Sequence, residues 1–144
     1  MLQWVAAFVA VLAMLASAAL DGAAIFRATG HAAALDLAAA SIAASEAQYG
    51  CYTQVLNAAL PSFFVARGMA ADRVQILVSN PDQPAANGQS VFAQVNYTSY
   101  VRVLLPFGAS FTEPETFSRS AVDISEYAPG GPAPPCTPPA GFGG

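Results

Sequence analysis

Few side chains in this sequence are placed to do chemistry, and the two cysteines, Cys51 and Cys136, are the most informative of them. They make no CxxC pair, and the single histidine, His31, sits in an alanine-rich helical pattern, so no metal-ligand spacing arises. In an oxidising compartment the natural product is a Cys51–Cys136 disulfide; the alternative is two unpaired thiols. As a disulfide it closes a long loop, for which loop-closure entropy gives about 4–5 kcal/mol less any strain, and it ties the C-terminal tail to the end of the first helix. The carboxylates are less promising. Asp21 and Asp36 share a helix face but stand about four turns apart, too far for shared acid–base work. Glu113 and Glu115 flank Pro114 in a segment that reads as a solvated loop. Asn96-Tyr97-Thr98 matches a glycosylation sequon, but inside a strand pattern. There is no nucleophile elbow, P-loop, HExxH or dinucleotide fingerprint. The expectation is a protein that is not an enzyme, with no catalytic residue, cofactor or metal.

Composition narrows the partners. Charged residues are 10 % of the chain against roughly 25 % for an ordinary soluble domain. Lysine is absent, the five basic residues are Arg27, Arg67, Arg73, Arg102 and Arg119, scattered along the chain, and the net charge is −4. With no basic cluster, nucleic-acid binding is not expected. Low charge with abundant alanine and glycine fits a chain that hides much of its surface against copies of itself.

The elements that position these residues can be read from periodicity. Residues 1–20 carry no charge, with only Gln3 and Ser17 interrupting an apolar run, and the alanine-rich stretch that follows has no proline before Pro61. The pattern predicts one helix over about residues 2–49, weakest at Gly22 and Gly30, where a bend is plausible, and stopped at Gly50. A shorter helix over about 52–67 follows, bent or split by Pro61, with Val55, Leu56, Ala59, Leu60, Phe63 and Phe64 as its apolar stripe. The period then changes to two, predicting strands over 73–78, 90–105 (bent near Thr98–Ser99) and 116–127, with a loop over 106–114. Two helices followed by three strands predict an α+β fold: a small antiparallel three-stranded sheet packed on the C-terminal half of the long helix. Three regions follow: a hydrophobic helix over 1–21, an α+β domain over 22–127, and a Pro/Gly-rich tail over 128–144 that Cys136 would pin.

As a helix, residues 1–20 rise about 30 Å, the thickness of a bilayer core. Three readings compete. Ala16-Ser17-Ala18 matches a signal-peptidase pattern, but no basic residue precedes Arg27. The length suits a permanent anchor. The third reading is a helix that begins in the membrane and ends in a filament core. There the alanines would keep it thin enough for close approach, and bulky Trp4, Phe8, Leu12, Leu15 and Leu20 would supply burial between neighbours.

The layout resembles the type IV pilin superfamily, and more particularly the TadE/TadG-like pilins of tight-adherence pili. The similarity is carried by Leu20-Asp21-Gly22-Ala23-Ala24-Ile25-Phe26-Arg27 with the alanine-rich 32–44 stretch, and by VFAQVNYTSYVRVLLPF at 91–107 followed by FSRSAVDISEY at 117–127. These motifs are compositional and cover about half of the chain. The pilin's usual acidic residue near the fifth position is replaced by Val5, and no acid precedes Asp21. The resemblance implies a structural subunit that enters the cytoplasmic membrane, meets pilus assembly machinery, and joins copies of itself in an extracellular helical filament serving attachment or adhesion. Asp21 and Arg27, at the edge of the apolar run, are the candidates for inter-subunit charge contacts. The alternatives are a minor pseudopilin resident in the membrane, which primes a pilus or secretion system, and a single-pass anchored extracellular binding domain.

Overall fold

The computed structural model describes residues 2–81, 83–104, 110–130 and 135–140, with side chains excepted at 2–8 and 103–104. The elements in chain order are α1 (Leu2–Tyr49), α2 (Gln54–Val65), a 3-10 turn (Ala71–Arg73), β1 (Val74–Val78), β2 (Ser90–Leu104) and β3 (Ser110–Ile124). They fall into two compact units, Met1–His31 and Ala32–Gly144.

In the first unit α1 runs through Gly22 and Gly30 without a break in helical assignment, so alanine-rich neighbours carry both glycines. In the second unit α1 presents Ala34, Leu35, Ala38, Ala39, Ile42 and Ala43, a stripe at helical spacing that is fully buried. Opposite it stand Val74 and Ile76 of β1 and Ala93, Val95 and Tyr97 of β2, with Leu60 and Phe64 of α2 in the same core. Small residues on the helix let it lie close to the sheet, while the larger side chains come from the strands and α2. Phe63 and Phe64 meet edge to face at 5.4 Å, and the Arg67 guanidinium lies over the Phe63 ring. Pro61 lies inside α2, which continues through it as one helix.

Helix α1 stops at a residue with two reasons to be glycine. Gly50 has φ +80°, and a Cβ there would meet the Pro84 Cβ at 2.8 Å. Its N–H donates to the Glu46 carbonyl, and its own carbonyl accepts from Ala85 N–H.

The sheet order is β1-β2-β3, antiparallel throughout. β1 covers only 93–97 of β2, whereas β2 and β3 pair from Ser90↔Ile124 to Leu104↔Ser110. Beyond the three-stranded part the sheet therefore continues as a two-stranded arm, 98–104 paired with 110–116. β3 begins in what the sequence predicts to be loop: Ser110–Pro114 is strand, and so are Glu113 and Glu115. Cross-strand pairing with the β-branched stretch of β2 outweighs the proline, as edge strands permit. β3 also ends at Ile124 rather than Tyr127, and β2 runs straight through Thr98 and Ser99.

One buried charge-bearing group holds the end of α1 to the sheet. Glu46 is fully buried; its Oε2 accepts from Ser79 Oγ at 3.1 Å, the Asn80 backbone N–H also favours its charged form, and Oε1 has no partner among the described residues. Ser79 Oγ in turn accepts from Phe92 N–H and Asn80 Nδ2. Desolvation outweighs these hydrogen bonds and raises the Glu46 carboxyl to about 7 from 4.5. Between those two values the folded chain keeps a proton that the unfolded chain has released, so stability falls as pH rises and levels off above about pH 7. The full difference is on the order of 3 kcal/mol. Denaturant unfolding at pH 5 and pH 8 is expected to show a less stable chain at pH 8, and Glu46→Gln is expected to remove most of that difference.

Candidate assembly surfaces

The largest feature offered to a partner is the first unit's helix. Val9, Val11, Leu12, Met14, Leu15, Leu20, Ile25 and Phe26 are between 50 and 80 % exposed. No residue from 9 to 27 is buried, and the apolar side chains point all round the helix rather than along one stripe. The segment is long and apolar enough to cross a membrane, with a mean hydropathy of 2.0 in its most apolar part. Of the side chains expected to form an assembly core, Leu12, Leu15 and Leu20 are exposed, and Trp4 and Phe8 lie outside the described side chains. Asp21 and Arg27 are both exposed, and neither makes an ion pair among the described residues. They stand six positions apart, a spacing at which helix side chains are not neighbours.

The second unit's sheet offers two further surfaces. On the face away from α1, Gln94 Nε2 donates to Asn96 Oδ1 and to Ser118 Oγ, and the Thr98 and Thr116 hydroxyls meet at 3.5 Å, making a polar ladder. Asn96 of the sequon belongs to this ladder. At one end the ladder gives way to exposed Leu77, Phe92, Val122 and Ile124, with Phe92 and Val122 directly paired across the strands. The second surface is the two-stranded arm. On its core-side row the register places Ser99 opposite Glu115 and Val101 opposite Glu113, and Phe111 follows in that row at 46 % exposure.

Electrostatics assign most of the cations to internal work. Arg119 pairs with Asp36 of α1 at 3.2 Å, the one ion pair among the described residues. Arg73 lies over the Tyr100 ring, and Arg102 donates to Ser110 Oγ across the arm. Neither Asp36–Arg119 nor the buried Glu46 was readable as a pair or a fastener from the sequence, because each depends on which strand residue faces α1. Glu46 gave one weak signal: its spacing continues the buried stripe from Ile42 and Ala43. No group of three or more metal-ligating side chains occurs among the described residues.

The cysteines are joined: Cys51 and Cys136 form a disulfide with Cα atoms 5.6 Å apart, 85 positions apart in sequence. Around it the tail is stitched to the start of α2. Thr53 and Cys136 make an isolated antiparallel bridge, Thr137 N–H donates to the Tyr52 carbonyl, and Ala140 N–H donates to Asn57 Oδ1. Tyr52 itself is fully buried, and burial pushes its phenol up.

Comparison with protein-family models, with characterised proteins and with solved structures gave no match.

Two stability effects separate these features. Cys51→Ser with Cys136→Ser is expected to cost about 2–5 kcal/mol and lower the melting temperature, as is reduction of the wild-type chain. Arg119→Ala is expected to cost no more than about 1 kcal/mol, because Arg119 and Asp36 are 42 and 61 % exposed. Thermal and denaturant unfolding of both variants measures the contrast.

Proposed function

We propose that this chain is a pilin-like structural subunit of an extracellular helical filament. The observation that carries the reading is the uncovered apolar half of α1. Eight large apolar side chains between Val9 and Phe26 stand exposed on a helix whose later turns are packed under a sheet. Leaving them in water forgoes about 1.5–3 kcal/mol apiece, so this surface must be covered by lipid or protein. Its alanines favour protein: a thin helix allows close helix–helix contact, which lipid alone does not require. In this reading the helix first rests in the cytoplasmic membrane. The assembly machinery then draws it out, and the helices of many copies become the filament core. The second unit forms the outer layer and meets surfaces to which the cell attaches. The disulfide is in keeping with that destination, since disulfides persist in oxidising compartments outside the cytoplasm.

A second reading shares the same observation. The helix is long and apolar enough to anchor one copy in a membrane, with the second unit as a binding domain.

Electron microscopy of the purified full chain tests the proposal. Continuous filaments composed mainly of this chain are expected, and Leu12→Asp with Leu15→Asp is expected to cut filament yield at least tenfold. A detergent-soluble monomer under all assembly conditions would sink the filament reading and favour the anchored domain. Presence at a few copies within filaments of another subunit would make it a minor component.

A further inference from the structure

Resting on the filament reading, we propose that the two-stranded arm of one copy is the seat for Phe26 and Arg27 of a neighbouring copy. The contact pairs Arg27 with Glu113 and Glu115 and lays Phe26 against Phe111 and Val101.

Four observations lead there. The arm's core-side row extends past the edge of β1, and its Glu113, Glu115 and Phe111 are exposed, with Val101 half-buried. The row is therefore a mixed surface: an aromatic, an aliphatic and two carboxylates on one side of a rigid ribbon. Phe26 and Arg27 are its chemical complement, with Phe26 the most exposed large apolar side chain of the described helix and Arg27 next to it. Cation accounting points the same way. Among the described residues Arg67, Arg73, Arg102 and Arg119 each have an ion pair, hydrogen bond or ring contact, and Arg27 is the one arginine without any. Of the acids with no side-chain partner, only Glu113 and Glu115 stand two apart on one strand, and so on one face, beside exposed apolar groups. Where flanking apolar side chains exclude water, an arginine between two carboxylates gains more than an open surface pair.

Helical assembly makes such a contact repeat. A helix segment on one copy meeting an arm on the next is heterologous, and heterologous contacts that do not close build filaments. It would also fix register, since Arg27 finds its carboxylates in only one stagger.

Charge reversal tests the pairing. Arg27→Glu alone, and Glu113→Arg with Glu115→Arg alone, are each expected to lower filament yield at least tenfold while the Cys51–Cys136 disulfide still forms and the melting temperature stays within a few degrees of wild type. The triple variant is expected to regain most of the yield. Co-expressing the two defective forms is also expected to restore filaments containing both, because each supplies the charge the other lacks. Rescue in the triple variant but not in the mixture would mean that the pair forms within one chain, and would overturn the proposal. So would failure of the triple variant, or an equal loss from Asp21→Asn alone, which would make Asp21 the counter-charge. If wild type itself forms no filaments, the functional reading fails first; if wild type assembles and reversal changes nothing, only this pairing fails.

Discussion

The constraint on which the rest depends is that α1 lives in two environments. Its later turns expose a stripe of alanine with Leu35 and Ile42, and the sheet and α2 bury that stripe completely. Over residues 9–27 its side chains are exposed, with apolar groups on every side. A helix that is apolar all round is stable only inside something, whether a bilayer or a protein core. The covered half is the spine of a small domain, and residues 9–27 stand exposed.

The second unit is built to hold the covered half firmly. Three fasteners of different strength tie α1 and its exit to the sheet and tail: the buried apolar contact, the Glu46–Ser79–Asn80 hydrogen bonds, and the disulfide at Cys51. The apolar contact is the largest, because about 25 cal/mol per Å² of buried surface accumulates over a dozen side chains. Glu46 is the ambiguous fastener. It satisfies Ser79 and Asn80 but is itself incompletely satisfied, so its contribution depends on its proton. The disulfide acts on the unfolded chain and lets a Pro/Gly-rich tail, unable to build a core, lie fixed beside α2.

The sheet's shape sets what remains available for partners. A short β1 beside two long strands leaves an arm whose core-side row continues the buried row of β2 without this domain's core beneath it. The row changes from Val95 and Tyr97 to Ser99, Glu113 and Glu115 as it leaves the core. The polar ladder on the opposite face, with its small apolar end at Phe92 and Val122, is chemically distinct from the arm.

Sequence alone determined the long helix, the change from helical to alternating period near residue 73, the strand identities, and the tail's need for a tie. Those features are local: alanine content, proline absence and alternation act within a few residues. Tertiary structure decided the rest. Ser110–Pro114 joins β3 only because β2 lies alongside, so local turn residues mispredict it. Asp36 finds Arg119, and Glu46 loses water, only once the register places the sheet against α1. The partnership of Cys51 and Cys136, one of two outcomes the sequence left open, required their backbones to meet across most of the chain. That α1 is buried along its later turns and exposed from residue 9 to 27 is the sum of such long-range choices: composition made both stretches apolar, but only the sheet's reach decided which one it covers.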